Sequence, residues 1–242
     1  MLYATIWRDL RWRLLAALAL VAPLAMLVAW SYTLKEEPPY VRAPTYLGFL
    51  DQVWFQLPGG SAVFLLLAVI VSAGGGLLRP RNDLAYLLTL PVTRRRWLFA
   101  HIGASLAALA ALVLLVAVVL LAGAWRAGMP LPLGPLLARS FGVFVAAGVW
   151  VTVMAAVLTL VRHPALAIVA VLGVVVAMPT GRFRLELPAR ATTALLPAWD
   201  PWTLADPRAW SDGVPFASML TACALGAAAT LLALYRLERF EP

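Results

Sequence analysis

The chain has 242 residues, of which 63% are hydrophobic and only 12% charged, at a mean hydropathy of +0.90. A water-soluble domain carries roughly twice that charge fraction, so the composition excludes one and reads as an all-α integral membrane protein. The net charge of +8 comes from arginine, with Lys35 the only lysine. The arginines gather at the borders of apolar stretches, where lipid and topology account for them without nucleic acid.

Residues 1–13 mix Leu2, Ile6, Trp7, Leu10 and Trp12 with Arg8, Asp9, Arg11 and Arg13. This pattern predicts a short interfacial helix with its tryptophans at headgroup level. A secretory signal peptide fits poorly, because the following apolar segment is too long and no small-residue cleavage site follows it. The arginines place the N-terminus in the cytoplasm. Residues 14–34 then form a first span, long enough at about 1.5 Å per residue for a core of about 30 Å. Pro23 within it is a candidate kink. Residues 35–58 hold Glu36, Glu37 and Asp51 against Lys35 and Arg42, and read as external. Trp54 and Phe55 suit an interfacial turn before a second span over 59–78. The glycines at 74–76 permit close helix contact or a bend.

An abrupt polar break follows, with a short apolar-periodic piece (Leu84, Leu87, Leu88), Pro91, and three consecutive arginines. Thr93 is placed to cap a helix that begins at Arg94. Arg94, Arg95 and Arg96 then fall in a first turn, where the helix dipole disfavours positive charge by about a few tenths of a kcal/mol each. Local helix energetics therefore do not explain them. An anionic lipid surface or an acidic partner would, as would a plain orientation signal in a cytoplasmic loop.

The third span covers 98–124 and ends at Trp125 and Arg126. A Pro/Gly connector (128–135) turns the chain. The fourth span, 136–161, carries Arg139 near its outer end, where its long side chain can snorkel, and a small-residue face at Gly142, Ala146 and Ala147. Arg162-His163-Pro164 makes a tight turn. The fifth span, 165–178, is short for a full crossing unless it thins the bilayer or enters at an angle. Residues 179–215 are polar and rich in proline and tryptophan, which favours short interfacial helices. The last span, 216–235, precedes Arg236 and Arg239 at a cytoplasmic C-terminus. Cys223, the lone cysteine, sits in this apolar run and reads as a packing residue. The expectation is one transmembrane domain over 1–242, with six spans and both termini inside.

Catalytic chemistry is hard to build from these residues. A Walker A loop needs a lysine after glycine, and Lys35 stands before Glu36-Glu37-Pro38. His101 and His163 are the only histidines and lie apart, so a two-histidine zinc helix is excluded. No Gly-x-Ser-x-Gly elbow occurs. No catalytic, cofactor-binding or metal residue is assigned, and the chain is read as a non-enzyme. Ionisable residues are nearly absent from span interiors, which disfavours an autonomous ion-coupled carrier. Thr152 and Thr159 are expected to bond their own helix backbone.

Asp83, a short apolar helix, Leu90-Pro91-Val92-Thr93-Arg94 and a returning membrane helix together resemble the ABC-2 type transporter permease family. That family carries a glutamate, a short helix and a Leu-Pro-Val-Ser-Arg-Arg motif between its second and third spans. Here threonine replaces the serine, Asp83 falls near the usual glutamate, and His101 stands where lysine is common. The resemblance in letters runs from Arg79 to His101; beyond that it is one of layout.

It implies a permease subunit of an ABC exporter in the inner membrane of a bacterium, paired as a homodimer or heterodimer with a second permease. Each permease would be driven by a cytoplasmic ATPase and surrounded by lipid. It also implies a coupling helix between spans 2 and 3, acting with the N-terminal helix. Short external or re-entrant helices are implied between spans 5 and 6. Arg81, Asp83, Tyr86, Arg94 and Arg95 become ATPase-facing candidates. Two other classes stay open: an accessory or assembly subunit, such as a haem-export-like permease of cytochrome maturation, and a membrane-embedded enzyme.

Overall fold

The computed structural model describes residues 2–33, 45–51, 54, 93–161, 166–173 and 216–239. Four long helices dominate: α1 (Leu2–Thr33), α3 (Arg94–Arg126), α4 (Leu133–Leu160) and α5 (Phe216–Glu238). A five-residue helix, α2 (Tyr46–Leu50), precedes α3, and residues 166–173 are also helical. Each long helix contains a segment long and apolar enough to cross a membrane. The described residues are all-helical, and their four apolar helices make the chain a multi-pass membrane protein. The expected second span (59–78), the coupling helix at 84–88, the turn at 162–164 and the helices of 179–215 lie outside the described residues.

The interfacial helix expected over 1–13 and the first span form one unbroken helix. The reason is visible in the packing. Ile6 and Leu10 are buried on the same helical stripe as Ala17, Val21, Ala25 and Val28, so nothing calls for a break between them. Pro23 lies inside α1 on its exposed side.

The α3–α4 connection is a tight hairpin. Gly128 takes φ +68, its N–H reaches Trp125 O, and the N–H of Met129 reaches Ala124 O at 3.0 Å. This left-handed cap closes the orphan carbonyls of α3. Only glycine accepts that φ cheaply. The connector is shorter than expected, because α4 begins at Leu133 and takes Gly134 and Pro135 into its first turn. Proline is tolerated there, since first-turn N–H groups have no helical partner.

The hairpin makes α3 and α4 antiparallel. Most of the packing is between α4 and α5 and between α1 and α3, with α3 touching α5 only narrowly. In α4, 61% of the membrane-crossing window is buried within the chain, against 11% in α5. Thus α4 is central and α5 peripheral. Gly123, near the end of α3, meets Ala29, near the end of α1. Extensive pairing from such a contact requires α1 and α3 to run in parallel. The C-terminus of α5 meets the N-terminus of α3, so α5 runs parallel to α4. It follows that Thr33 and Arg94 lie at opposite ends of the bundle, and so do Leu160 and Phe216.

Candidate functional site

The N-terminus of α3 is built as the residue types require. Thr93 is extended, at φ −61 and ψ 139, and its Oγ1 accepts the Arg96 N–H at 3.3 Å. The backbone N–H of Trp97 closes the first turn on Thr93 O at 3.0 Å. This cap starts the helix whose first two side chains, Arg94 and Arg95, reach the end of α5. The Arg94 Nη1 donates to Leu237 O at 2.7 Å and to Glu238 O at 3.3 Å. The Arg95 guanidinium forms an ion pair with the Glu238 carboxylate. Arg96 is exposed.

Two of the three cations that the dipole of α3 disfavours are thus held at the negative end of a second helix, Arg94 by carbonyls of its last turn and Arg95 by its Glu238 carboxylate. Sequence reasoning looked for this partner outside the chain. Two of the cations find it 143 and 144 residues further along the same chain. The missed residue is Glu238, and its signal was an acid set between Arg236 and Arg239.

One turn further, His101 is buried and lies flat against Trp97, with ring centroids 5.8 Å apart and an interplanar angle of 9°. The position where the family resemblance calls for lysine is therefore filled by a stacked ring. Of the five candidate coupling residues, Arg94 and Arg95 are brought together on the end of α5. Arg81, Asp83 and Tyr86 lie outside the described residues.

A second polar centre stands at the opposite end. Asp51, the C-cap of α2, is paired with Arg139 of α4, whose Nη2 lies 2.7 Å from Oδ2. The arginine does not snorkel as expected, because a carboxylate lies within reach. Its side chain is 15% exposed and that of Asp51 20%. The available signal was the arginine itself, since a cation within an apolar span calls for a counter-ion. The anchors of this corner are Tyr46, Phe49, Leu50 and Trp54, all buried.

Thr152 and Thr159 bond back to Val149 O and Ala156 O at 2.7 Å each, as their positions in an apolar helix predict. Among the described residues no group of three or more His, Cys, Asp or Glu could hold a metal ion. What the two polar centres offer is electrostatic attachment of one helix end to another. Neither a protein-family model nor a curated protein matches the chain.

Proposed function

We propose that this chain is the non-catalytic permease subunit of an ABC-2 type exporter, seated in a bacterial inner membrane and driven by a separate cytoplasmic ATPase. The observation that carries the reading is the motif Leu90-Pro91-Val92-Thr93-Arg94. Its Thr93 is the N-cap and its Arg94 the first residue of a membrane-crossing helix, at the end that is richest in arginine among the described residues. Arg11, Arg13, Arg94, Arg95, Arg96, Arg236 and Arg239 stand at that end, against Arg126 and Arg139 at the other. The positive-inside rule makes the first end cytoplasmic.

Helix directions fit the same reading. One return crossing between Thr33 and Arg94 and another between Leu160 and Phe216 bring the four long helices to six spans. The sequence offers 59–78 and 165–178 for these crossings. Two such subunits, each with an ATPase beneath it, make the transporter. Closure of the ATPases displaces the loop before Thr93, and Arg94 and Arg95 carry that displacement into α5.

The test is affinity purification of the tagged chain from its native membrane. The expected result is a co-purifying protein that hydrolyses ATP. Arg81→Glu, Asp83→Arg and alanine at Arg94–Arg96 are expected to release it while membrane insertion persists. If the loop variants invert the topology and ATPase binding is otherwise normal, the coupling role is wrong.

A further inference from the structure

We propose that the Arg94 end of the bundle carries a binding surface for anionic phospholipid headgroups, made by Arg11, Arg96, Arg236 and Arg239. This inference rests on the membrane-spanning helices and not on the transporter reading. All four arginines are exposed. At this end Glu238 is engaged by Arg95, and Arg94 is engaged with carbonyls of α5. Their charge is therefore spent within the chain, whereas the charge of the other four faces outward.

The distribution of the four distinguishes a bilayer from a docked protein. Arg11 belongs to α1 and Arg236 to α5, with Arg239 just past its end; these helices flank the α3–α4 hairpin on its two sides. A protein partner docks on one face, whereas headgroups surround the whole perimeter. Aromatic rings mark the same level. The Arg11 guanidinium lies 5.3 Å from the centroid of the Trp12 ring, and that of Arg239 4.3 Å from Tyr235. Trp7, Trp12, Phe99 and Tyr235 are all exposed large side chains. Arginine beside aromatic, at the point where apolar helices end, is the chemistry of the headgroup layer. Among the described residues the opposite end turns only Arg126 outward, because Arg139 is neutralised by Asp51.

The test uses the purified full chain in nanodiscs of equal parts phosphatidylglycerol and phosphatidylcholine, with one or the other lipid brominated. Quenching of tryptophan fluorescence then reads which lipid lies against the protein. A cation near an anionic surface contributes about 1 kcal/mol, so phosphatidylglycerol is expected to be favoured about fivefold at each arginine. The preference should weaken as sodium chloride is raised. It should disappear in the combined Arg11→Gln, Arg96→Gln, Arg236→Gln, Arg239→Gln variant and persist in Arg126→Gln.

Should the combined variant fold poorly, the salt series on the unaltered chain and Arg96→Gln alone still decide the matter. Equal quenching by both lipids, or a preference indifferent to salt, overturns the proposal. So does inorganic phosphate stabilising the chain in phosphatidylcholine discs as well as phosphatidylglycerol does, for the surface would then bind a soluble anion. If the isolated chain shows no preference and the four arginines are shielded in a co-purified complex, they face a protein and the assignment fails.

Discussion

Asp51 and Arg139, 88 residues apart in sequence, fasten α2 to the start of α4 through a largely buried ion pair. A five-residue helix cannot sustain itself by its own hydrogen bonds, so α2 depends on this pair and on its buried aromatic side chains. The two partners are not equivalent. An arginine left alone near the end of a membrane helix can extend toward water, whereas the short aspartate, fixed as the C-cap of α2, cannot. Arg139→Gln is therefore expected to destabilise by about 2 kcal/mol and Asp51→Asn by about 1 kcal/mol. The double variant should cost less than the sum. Thermal unfolding in detergent micelles measures all three, and strict additivity would show that the pair contributes nothing.

Gly123 sets the approach of α1 to α3. A Cβ built there would stand 2.5 Å from Ala29 Cβ and 3.1 Å from the Tyr46 hydroxyl oxygen, so α1 would have to shift and the Tyr46 side chain to give way slightly. Membrane helices gain contact where small residues let backbones approach. Gly123→Ala is expected to destabilise by about 1–3 kcal/mol, the usual cost of overpacking. Gly103 lies on the same helix with open space around it. Gly103→Ala should be neutral or slightly stabilising, because alanine is the better helix former. Equal melting temperatures for the two variants would mean that Gly123 is not a contact point.

The helices were legible because composition and period are local. Thr93 announced the start of α3, and the apolar runs announced four crossings. The register between helices was not legible. Nothing local to Gly123 distinguishes it from Gly103, and only the partner helix does. Arg94 shows the same limit in charge. Its position in a first turn was recognised as anomalous, and the physics pointed to an anionic lipid surface or an acidic partner. What Arg94 meets instead is a pair of backbone carbonyls at a helix end some 140 residues away in the same chain. Long-range pairs such as Arg139 with Asp51 follow from a rule about counter-ions, yet the rule does not name the partner.

Arg94 and Glu238 should separate by substitution. Arg94 reaches two backbone carbonyls, so Arg94→Ala removes acceptor satisfaction and a favourable charge from the end of α5. The expected loss is about 1 kcal/mol, with faster hydrogen exchange in the last turn of that helix. Glu238 meets Arg95 in solvent, with side chains 41% and 66% exposed, and an exposed pair contributes little. Glu238→Gln should leave exchange in α5 near that of the unaltered chain. The reverse order would locate the attachment in the carboxylate and not in the carbonyls.

The helix directions make a prediction about sidedness that needs no partner or substrate. Because α3 runs from the arginine-rich end to the hairpin, Arg96 and Arg126 lie on opposite faces of the membrane, and both are exposed. Cys223 is itself exposed along α5, so the background is Cys223→Ser. A single cysteine at position 96 should react with a membrane-impermeant maleimide only after the cells are opened. A cysteine at position 126 should react in intact spheroplasts. Among the described residues seven arginines stand at the Arg96 end against two at the other, and by the positive-inside rule that bias predicts the first end to be cytoplasmic. Labelling of position 96 from outside would invert the whole bundle. It would also remove the arginine-rich end from the reach of any cytoplasmic ATPase.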